Sequence, residues 1–381
     1  MPMNNKKSCL VVTYFANDQP GFLDFSYRIQ SLAKAYKLTI VSSYPLTQEE
    51  LYADGVNYVV VEAGLGRVGW ISYLLRSASL IRQQQPSVVV LLHSMVAPIA
   101  LIVGKIPTAT YWNEHPSHIA PEPEGFFPIK AVSRKAVRKM MFYGASRASL
   151  VMPIGEAHQQ DLLKQGCNLL KTKMIYMGVD ASFSGVSLGD KYRAENSPLQ
   201  LIYVGSISMD RGRDVMLEAM AIVKQFGNIA HLTIVGANEV QYQYCHNLVK
   251  KLQIIDLVTI HLRIPGGEIP NMLKQADAGL CIWQDLPWYR FNPPTKLFEY
   301  LVAGLPVMAS NIETHTQYVK DEFNGMIFEY NSVSLANAIR RLWENRHKLL
   351  QIKLQAHQAS DIYLWRNIEP EFLNAVESVT Q

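Results

Sequence analysis

The chain has 381 residues, of which 49% are hydrophobic and 18% charged, and a net charge of +4. It is too long for one comfortable core and suits two globular domains of roughly 150–200 residues each. So modest a charge argues against nucleic acid as a partner. Cys9, Cys167, Cys245 and Cys281 form no C-x-x-C pair or metal-spaced cluster, so a reduced, cytoplasmic protein is expected.

The polar start Met1–Lys7 leads into the apolar run Cys9–Phe15. That run lacks a small-residue cleavage site and is short for a secretion leader, so it reads as a buried strand, Cys9–Tyr14. The loop Asn17–Gly21 behind it is not G-x-G-x-x-G, so the dinucleotide fingerprint is absent. Gly21 could still approach a phosphate or an acceptor through its backbone. Further Val- and Ile-rich runs predict strands at Leu38–Ser42, Tyr58–Glu62, Val88–Leu92, Thr108–Tyr111, Leu150–Pro153 and Lys173–Tyr176, the pattern of a parallel sheet covered on both faces.

Residues 87–103 form the longest apolar stretch, yet they contain His93, Ser94 and Pro98 and fall short of the ~20 residues that span a bilayer. A buried strand followed by a buried helix is expected, with His93 at the strand end. Tyr111–His118 also follows a strand, which brings Glu114 and His115 to the edge where such sheets bind ligands. His115 could hydrogen-bond a substrate with Glu114 orienting it, although a strand-end histidine is more often structural. Residues 128–150 are the most basic, with Lys130, Arg134, Lys135, Arg138, Lys139 and Arg147 among apolar residues at helical spacing. Such a helix could lie on an anionic membrane, or simply present a solvated basic face.

The stretch 184–198, rich in Ser, Gly and charge, is the best linker. It separates a first domain, 1–183, from a second, 199–360. Strands in the second are expected at Leu201–Val204, Leu232–Val235, Val258–Ile260, Ala278–Ile282, Pro306–Ala309 and Gly325–Phe328. The first runs into Gly205-Ser-Ile-Ser-Met-Asp-Arg-Gly212 and a helix from about Arg213, so a glycine turn precedes a cation near a helix start. A second helix begins near Pro294 and stops at Gly304. Its first turn and Lys296 converge where a diphosphate could sit, and Glu299, one turn further, could accept hydrogen bonds from ribose hydroxyls. There is no D-x-D, G-x-S-x-G, H-E-x-x-H or P-loop pattern, so hydrolase, zinc protease and NTPase readings lack support. The last segment, 361–381, reads as an amphipathic helix.

Pro294–Ser310, with Lys296-Leu-Phe-Glu-Tyr300 at its centre, resembles the donor-sugar motif of the family 4 glycosyltransferases, and Gly178-Val179-Asp180 resembles that family's segment before the linker. The resemblance extends over Ser149–Ser182 and Leu201–Arg341. It implies an α/β chain of GT-B fold, two facing Rossmann-like doubly wound domains with an interdomain cleft, whose terminal helix crosses back onto the first domain. It also implies retaining transfer of a sugar from a nucleotide-diphosphate donor to a glycan or lipid-linked glycan hydroxyl, with no cofactor and no essential metal. The donor set is then Gly205, Ser206, Arg211, Arg263, Thr295, Lys296, Leu297 and Glu299, with Gly21, His93, Glu114 and His115 on the acceptor or sugar side. His115, Arg211 and Lys296 are the candidate catalytic residues. An anionic membrane surface is a further candidate partner, with peripheral attachment at the cytoplasmic face.

The chain departs from the family pattern at several positions. Ser206 stands in place of an arginine, Arg211 in place of a lysine, Phe291 in place of the first of two glutamates, and Gln317 in place of another glutamate. Arg213, Arg263 or Arg290 could make up the missing cation. A nucleotide-sugar epimerase of similar fold and a non-catalytic binding subunit remain as alternatives.

Overall fold

The computed structural model describes residues 6–14, 22–46, 55–121, 123, 127–189 and 197–380. The loop Asn17–Gly21, and with it Gly21, lies outside them. The chain divides into two compact units, Met1–Gly178 with Trp365–Gln381, and Val179–Leu364.

The first unit is built on six parallel strands, β1 (Ser8–Thr13), β2 (Lys37–Ser42), β3 (Asn57–Val60), β4 (Val88–Leu92), β5 (Thr108–Trp112) and β6 (Leu150–Pro153). Their order is β3-β2-β1-β4-β5-β6. All five residues of β4 are buried, as expected of a central strand covered on both faces. The order reverses between β1 and β4, the topological switch point at which ligands of open α/β sheets bind.

One local expectation fails. Lys173–Tyr176 is no seventh strand: Lys173 N–H donates to Val151 O and Ile175 N–H to Pro153 O, but Pro153 has no N–H to return the bond. The buried helix expected after β4 is present and is of the 3-10 type, Ser94–Leu101, with Pro98 inside it.

The terminal helix Trp365–Glu377 belongs to the first unit. It docks on the helix Phe22–Ala35 around Arg28, whose guanidinium lies 4.9 Å from the Phe372 ring centre and 5.3 Å from that of Trp365. Gly178 makes room for it, since a Cβ there would meet Trp365 Cε3 at 2.5 Å. Lys7 and Tyr36 hold the far end through Glu377.

The second unit repeats the topology with β7 (Leu199–Val204), β8 (Ala230–Ala237), β9 (Val258–Leu262), β10 (Ala278–Cys281), β11 (Val307–Ser310) and β12 (Gly325–Phe328), ordered β12-β11-β10-β7-β8-β9 and all parallel. Its switch point lies between β7 and β10.

The expected linker is in part packed structure. Gly185 and Ser187 N–H donate to Val302 O and Ala303 O, and Ser187 Oγ to Gly304 O, so the stretch satisfies the carbonyl end of the helix Thr295–Ala303. Among the described residues no helix is long and apolar enough to cross a membrane.

Candidate functional site

The second unit concentrates unusual chemistry at the carboxyl end of β7. The helix Thr295–Ala303 starts there, with Pro294 at its N-cap rather than in its first turn and Gly304 in the left-handed conformation at its end (φ 77°). Tyr300 ties the helix to the sheet, its hydroxyl accepting from Val204 N–H at 2.9 Å. Gly279 on β10 leaves the space, because a Cβ there would lie 2.4 Å from the Tyr300 ring. The amides of Thr295 and Lys296 find no backbone acceptor among the described residues, whereas that of Leu297 turns back to Pro294 O. The Leu297 side chain is fully buried in the core. Leu297 therefore supports the site and does not face it.

Lys296 is the centre of the arrangement. Its Nζ is buried and has no hydrogen-bond partner among the described residues. It stands 3.7 Å from the centre of the Tyr203 ring, and a Cβ on Gly205 would come within 3.2 Å of it. Gly205 directly follows β7, two residues after Tyr203. A ring under an ammonium contributes about 0.5–2 kcal/mol, against several kcal/mol lost by an ion that leaves water. Burial lowers the Lys296 ammonium from 10.5 to about 7, with Arg211 adding repulsion against the pull of Cys281 and Glu299. Burial likewise raises the Glu299 carboxyl from 4.5 to about 7, with Lys296 opposing. For neither group do the neighbours offset the cost of burial.

Arg211 ends the short 3-10 turn Met209–Arg211 just before the helix Arg213–Gln225. Its charge bears on both Tyr203 and Lys296. Gly212, at φ 77°, closes the turn where a Cβ would strike Ile282 Cγ2 at 2.2 Å. Ser206 contributes a carbonyl that accepts from the Tyr203 hydroxyl at 2.8 Å.

None of the expected substitute cations joins Arg211 and Lys296. Arg213 is held doubly by Asp214, at 2.8 and 2.9 Å, and lies over the Tyr244 ring at 3.6 Å. Arg290 is exposed and paired with Asp285. Arg263 is exposed after β9, its N–H given to Ala237 O. Tyr203 and Cys281 were not singled out as site residues in the sequence.

In the first unit, β4 and β5 deliver His93 and Glu114 to the carboxyl edge of the sheet. His93 is buried, its Nδ1 accepting from Met95 N–H, and burial lowers it to about 4, with Glu114 opposing and His118 adding to the shift. Glu114 contacts His118 Nδ1 at 2.8 Å. His115 turns to structural work. Its Nδ1 accepts from Ser117 N–H at 3.1 Å, capping the helix Pro116–Ile119, and its Nε2 lies 2.9 Å from Asp161 Oδ2. Both ring nitrogens of His115 are thus engaged within the chain, while Glu114 and His118 pair with each other at the sheet's edge.

Comparison with known proteins fits this geometry. Residues 189–359 match the family described as glycosyl transferases group 1. The chain is 26% identical over 214 residues to the amylovoran biosynthesis glycosyltransferase AmsK of Erwinia amylovora, covering 54% of this chain and 50% of that protein. It is 26% identical over 192 residues to the putative colanic acid biosynthesis glycosyltransferase WcaL of Escherichia coli, covering 49% and 45%. The aligned region thus spans about half the length of these curated relatives. The crystal structure of Anabaena HepE in complex with UDP shares the fold at a TM-score of 0.75 and 15% identity, over 97% of this chain and 100% of that one. The family match lies on the unit that carries the Lys296 site, and the fold is shared along nearly the whole chain: residues 189–359 match the group 1 glycosyl transferases, and the protein has the GT-B fold.

Proposed function

We propose that the protein is a retaining glycosyltransferase that moves a sugar from a nucleotide-diphosphate donor to a hydroxyl of a glycan or lipid-linked glycan, in the synthesis of a cell-surface polysaccharide or glycolipid. The observation that carries this reading is Lys296, a buried ammonium without a hydrogen-bond partner, set at a helix start beside Gly205. An anion is what such a place lacks, and a diphosphate supplies it.

In the proposed reaction the bond from the sugar's anomeric carbon to the diphosphate breaks and its electron pair leaves with the phosphate. The acceptor oxygen bonds to that carbon, and the acceptor proton passes to the departing phosphate oxygen. Lys296, Arg211 and the free amides of Thr295 and Lys296 stabilise the growing negative charge, with no metal required. Glu299 accepts from the ribose hydroxyls, while Glu114 and His118 serve the acceptor. The names of AmsK and WcaL, and the UDP bound to HepE, support a nucleotide-sugar donor and a polysaccharide product.

Ligand-observed NMR with UDP-, GDP-, ADP- and dTDP-sugars tests the donor site. One nucleotide class should bind, and binding should be lost in Glu299→Ala. Silence across the panel would sink the reading and favour a binding subunit. An epimerase would convert the bound donor with no acceptor present.

Attachment to an anionic membrane is part of the proposal, and two helices of the first unit support it. Pro128–Arg147 exposes Ile129 and Val132 beside Lys130, Lys135 and Lys139, whereas Arg134 and Arg138 are turned inward to Pro121 O and Ala120 O. Gly66–Gln84 exposes Val68, Ile71 and Leu75 in one stripe. Neither helix contains an Asp or Glu. Both pack against Ser94–Leu101: Trp70 Nε1 donates to Met95 O, and Gly144 lies where a Cβ would meet Ala97 at 2.6 Å. Sedimentation with phosphatidylglycerol vesicles should fall with added salt and with the combined charge reversal of Lys130, Lys135 and Lys139. Equal binding to neutral vesicles would refute an anionic surface.

A further inference from the structure

The turn that carries Arg211 is fastened from outside its own strand and helix. Asp210 O accepts from Gln284 N–H at 3.0 Å, and Met209 O accepts from the Tyr330 hydroxyl at 2.6 Å. The Asp210 carboxylate takes one bond from Ser208 Oγ and another, short, from the Tyr289 hydroxyl. Tyr289 is itself held rigidly. Its ring stacks on Trp283 with centroids 4.4 Å apart and planes at 23°, its carbonyl accepts from Thr314 Oγ1 at 2.6 Å, and only 5% of the residue is exposed. The charge of Arg211 also acts on the Tyr289 hydroxyl.

Packing accounts for the ring of Tyr289 but not for its hydroxyl, which reaches out of the apolar cluster formed with Trp283, Leu286, Trp288 and Ile312 to the edge of the cation turn. We propose that Tyr289 is a positioning residue for Arg211, its hydroxyl anchoring the Asp210–Arg211 turn so that the guanidinium stands beside Lys296 at the diphosphate end of the site. A single fork cannot set its own direction on a three-residue turn. With Asp210 bound from two sides, the guanidinium is preorganised before any anion arrives. The inference rests on the donor-site reading above and adds to it a residue outside the family motif.

A double-mutant cycle tests it, with UDP and inorganic pyrophosphate titrated into the wild type, Tyr289→Phe, Arg211→Ala and the combined variant. The Phe ring keeps the stack on Trp283, so the cycle isolates the hydroxyl. Tyr289→Phe alone should weaken both ligands about tenfold, and in the Arg211→Ala background it should cost less than about twofold, because the two residues act as one unit. An unchanged affinity in Tyr289→Phe, or an equal loss in both backgrounds, overturns the inference while leaving the donor reading intact. If the wild type binds neither UDP, GDP, ADP nor pyrophosphate, the donor reading fails and the inference fails with it.

Discussion

Two cations of this protein, Arg28 in the first unit and Lys296 in the second, are treated in opposite ways. In the first, Arg28 is fully buried and forked onto Asp24 at 2.9 and 3.1 Å, with further bonds to the Tyr111 hydroxyl and Tyr176 O, both at 2.8 Å. Asp24 in turn accepts from Gly178 N–H and from Tyr111. The network joins the helix Phe22–Ala35 to β5, to the chain's exit at Gly178 and to the returning terminal helix. In the second unit, Lys296 has an aromatic face beneath it and no hydrogen-bond partner. A buried charge that is answered from within holds a fold together, and one left unanswered is kept for something that arrives from outside.

Exchanging each cation for an apolar residue is the strongest way to break that comparison. Arg28→Met strands a buried carboxylate, and it should cost about 3–5 kcal/mol of stability in urea unfolding. Lys296→Met removes a charge that nothing compensates, so the fold should be as stable as the wild type or more so. Turnover should nevertheless fall by about 100-fold or more, in the range typical of losing one donor to a developing anion. If Lys296→Met destabilised the fold as much as Arg28→Met, Lys296 would be a structural cation and the proposed donor site would lose its centre.

Titration sharpens the contrast at smaller scale. Lys296 is lowered in the folded state, so between about pH 7 and 10.5 the unfolded chain binds the extra proton and stability rises with pH. Glu299 is raised, so between 4.5 and about 7 the folded chain holds the extra proton and stability falls as pH rises. The two slopes meet near neutrality and place there a shallow minimum in the apo protein's melting temperature. UDP keeps Lys296 protonated and should flatten the rising limb, with a proton taken up on binding at pH 8 that calorimetry in buffers of different ionisation enthalpy can read. A stability curve of the same shape in Lys296→Met would assign the slope to other groups.

The contrast also marks how far the sequence could be read. The strands stood out because parallel sheets buried on both faces leave apolar runs such as Val88–Leu92. Lys296, Glu299 and Gly304 were visible because a helix start, its first turns and its stop are local in sequence. What escaped depends on partners far along the chain. The structural role of His115 comes from Asp161 on another helix, and 184–198 looked like a linker because the bonds of Gly185 and Ser187 go to residues 302–304. Arg28 carried one local sign, Asp24 four residues earlier, but that spacing is common on solvated helices, and only the fold shows that both are buried.

Arg213 offers the finest test, because it lies two residues from Arg211 and carries the same side chain. Its guanidinium makes two bonds to Asp214 and covers the Tyr244 ring, so it is answered in the manner of Arg28 but near the surface. A partly exposed pair of this kind contributes about 0–1 kcal/mol, so Arg213→Gln should barely move the melting temperature. It should also leave UDP affinity within about twofold, because a guanidinium already committed to a carboxylate has little to offer a second anion. Arg211→Gln, which removes a charge that acts on Lys296 and makes no such fork, should weaken UDP by about tenfold or more. Equal losses at the two positions would mean that Asp214 releases Arg213 to the ligand, and internal pairing would then no longer separate structural from functional cations in this fold.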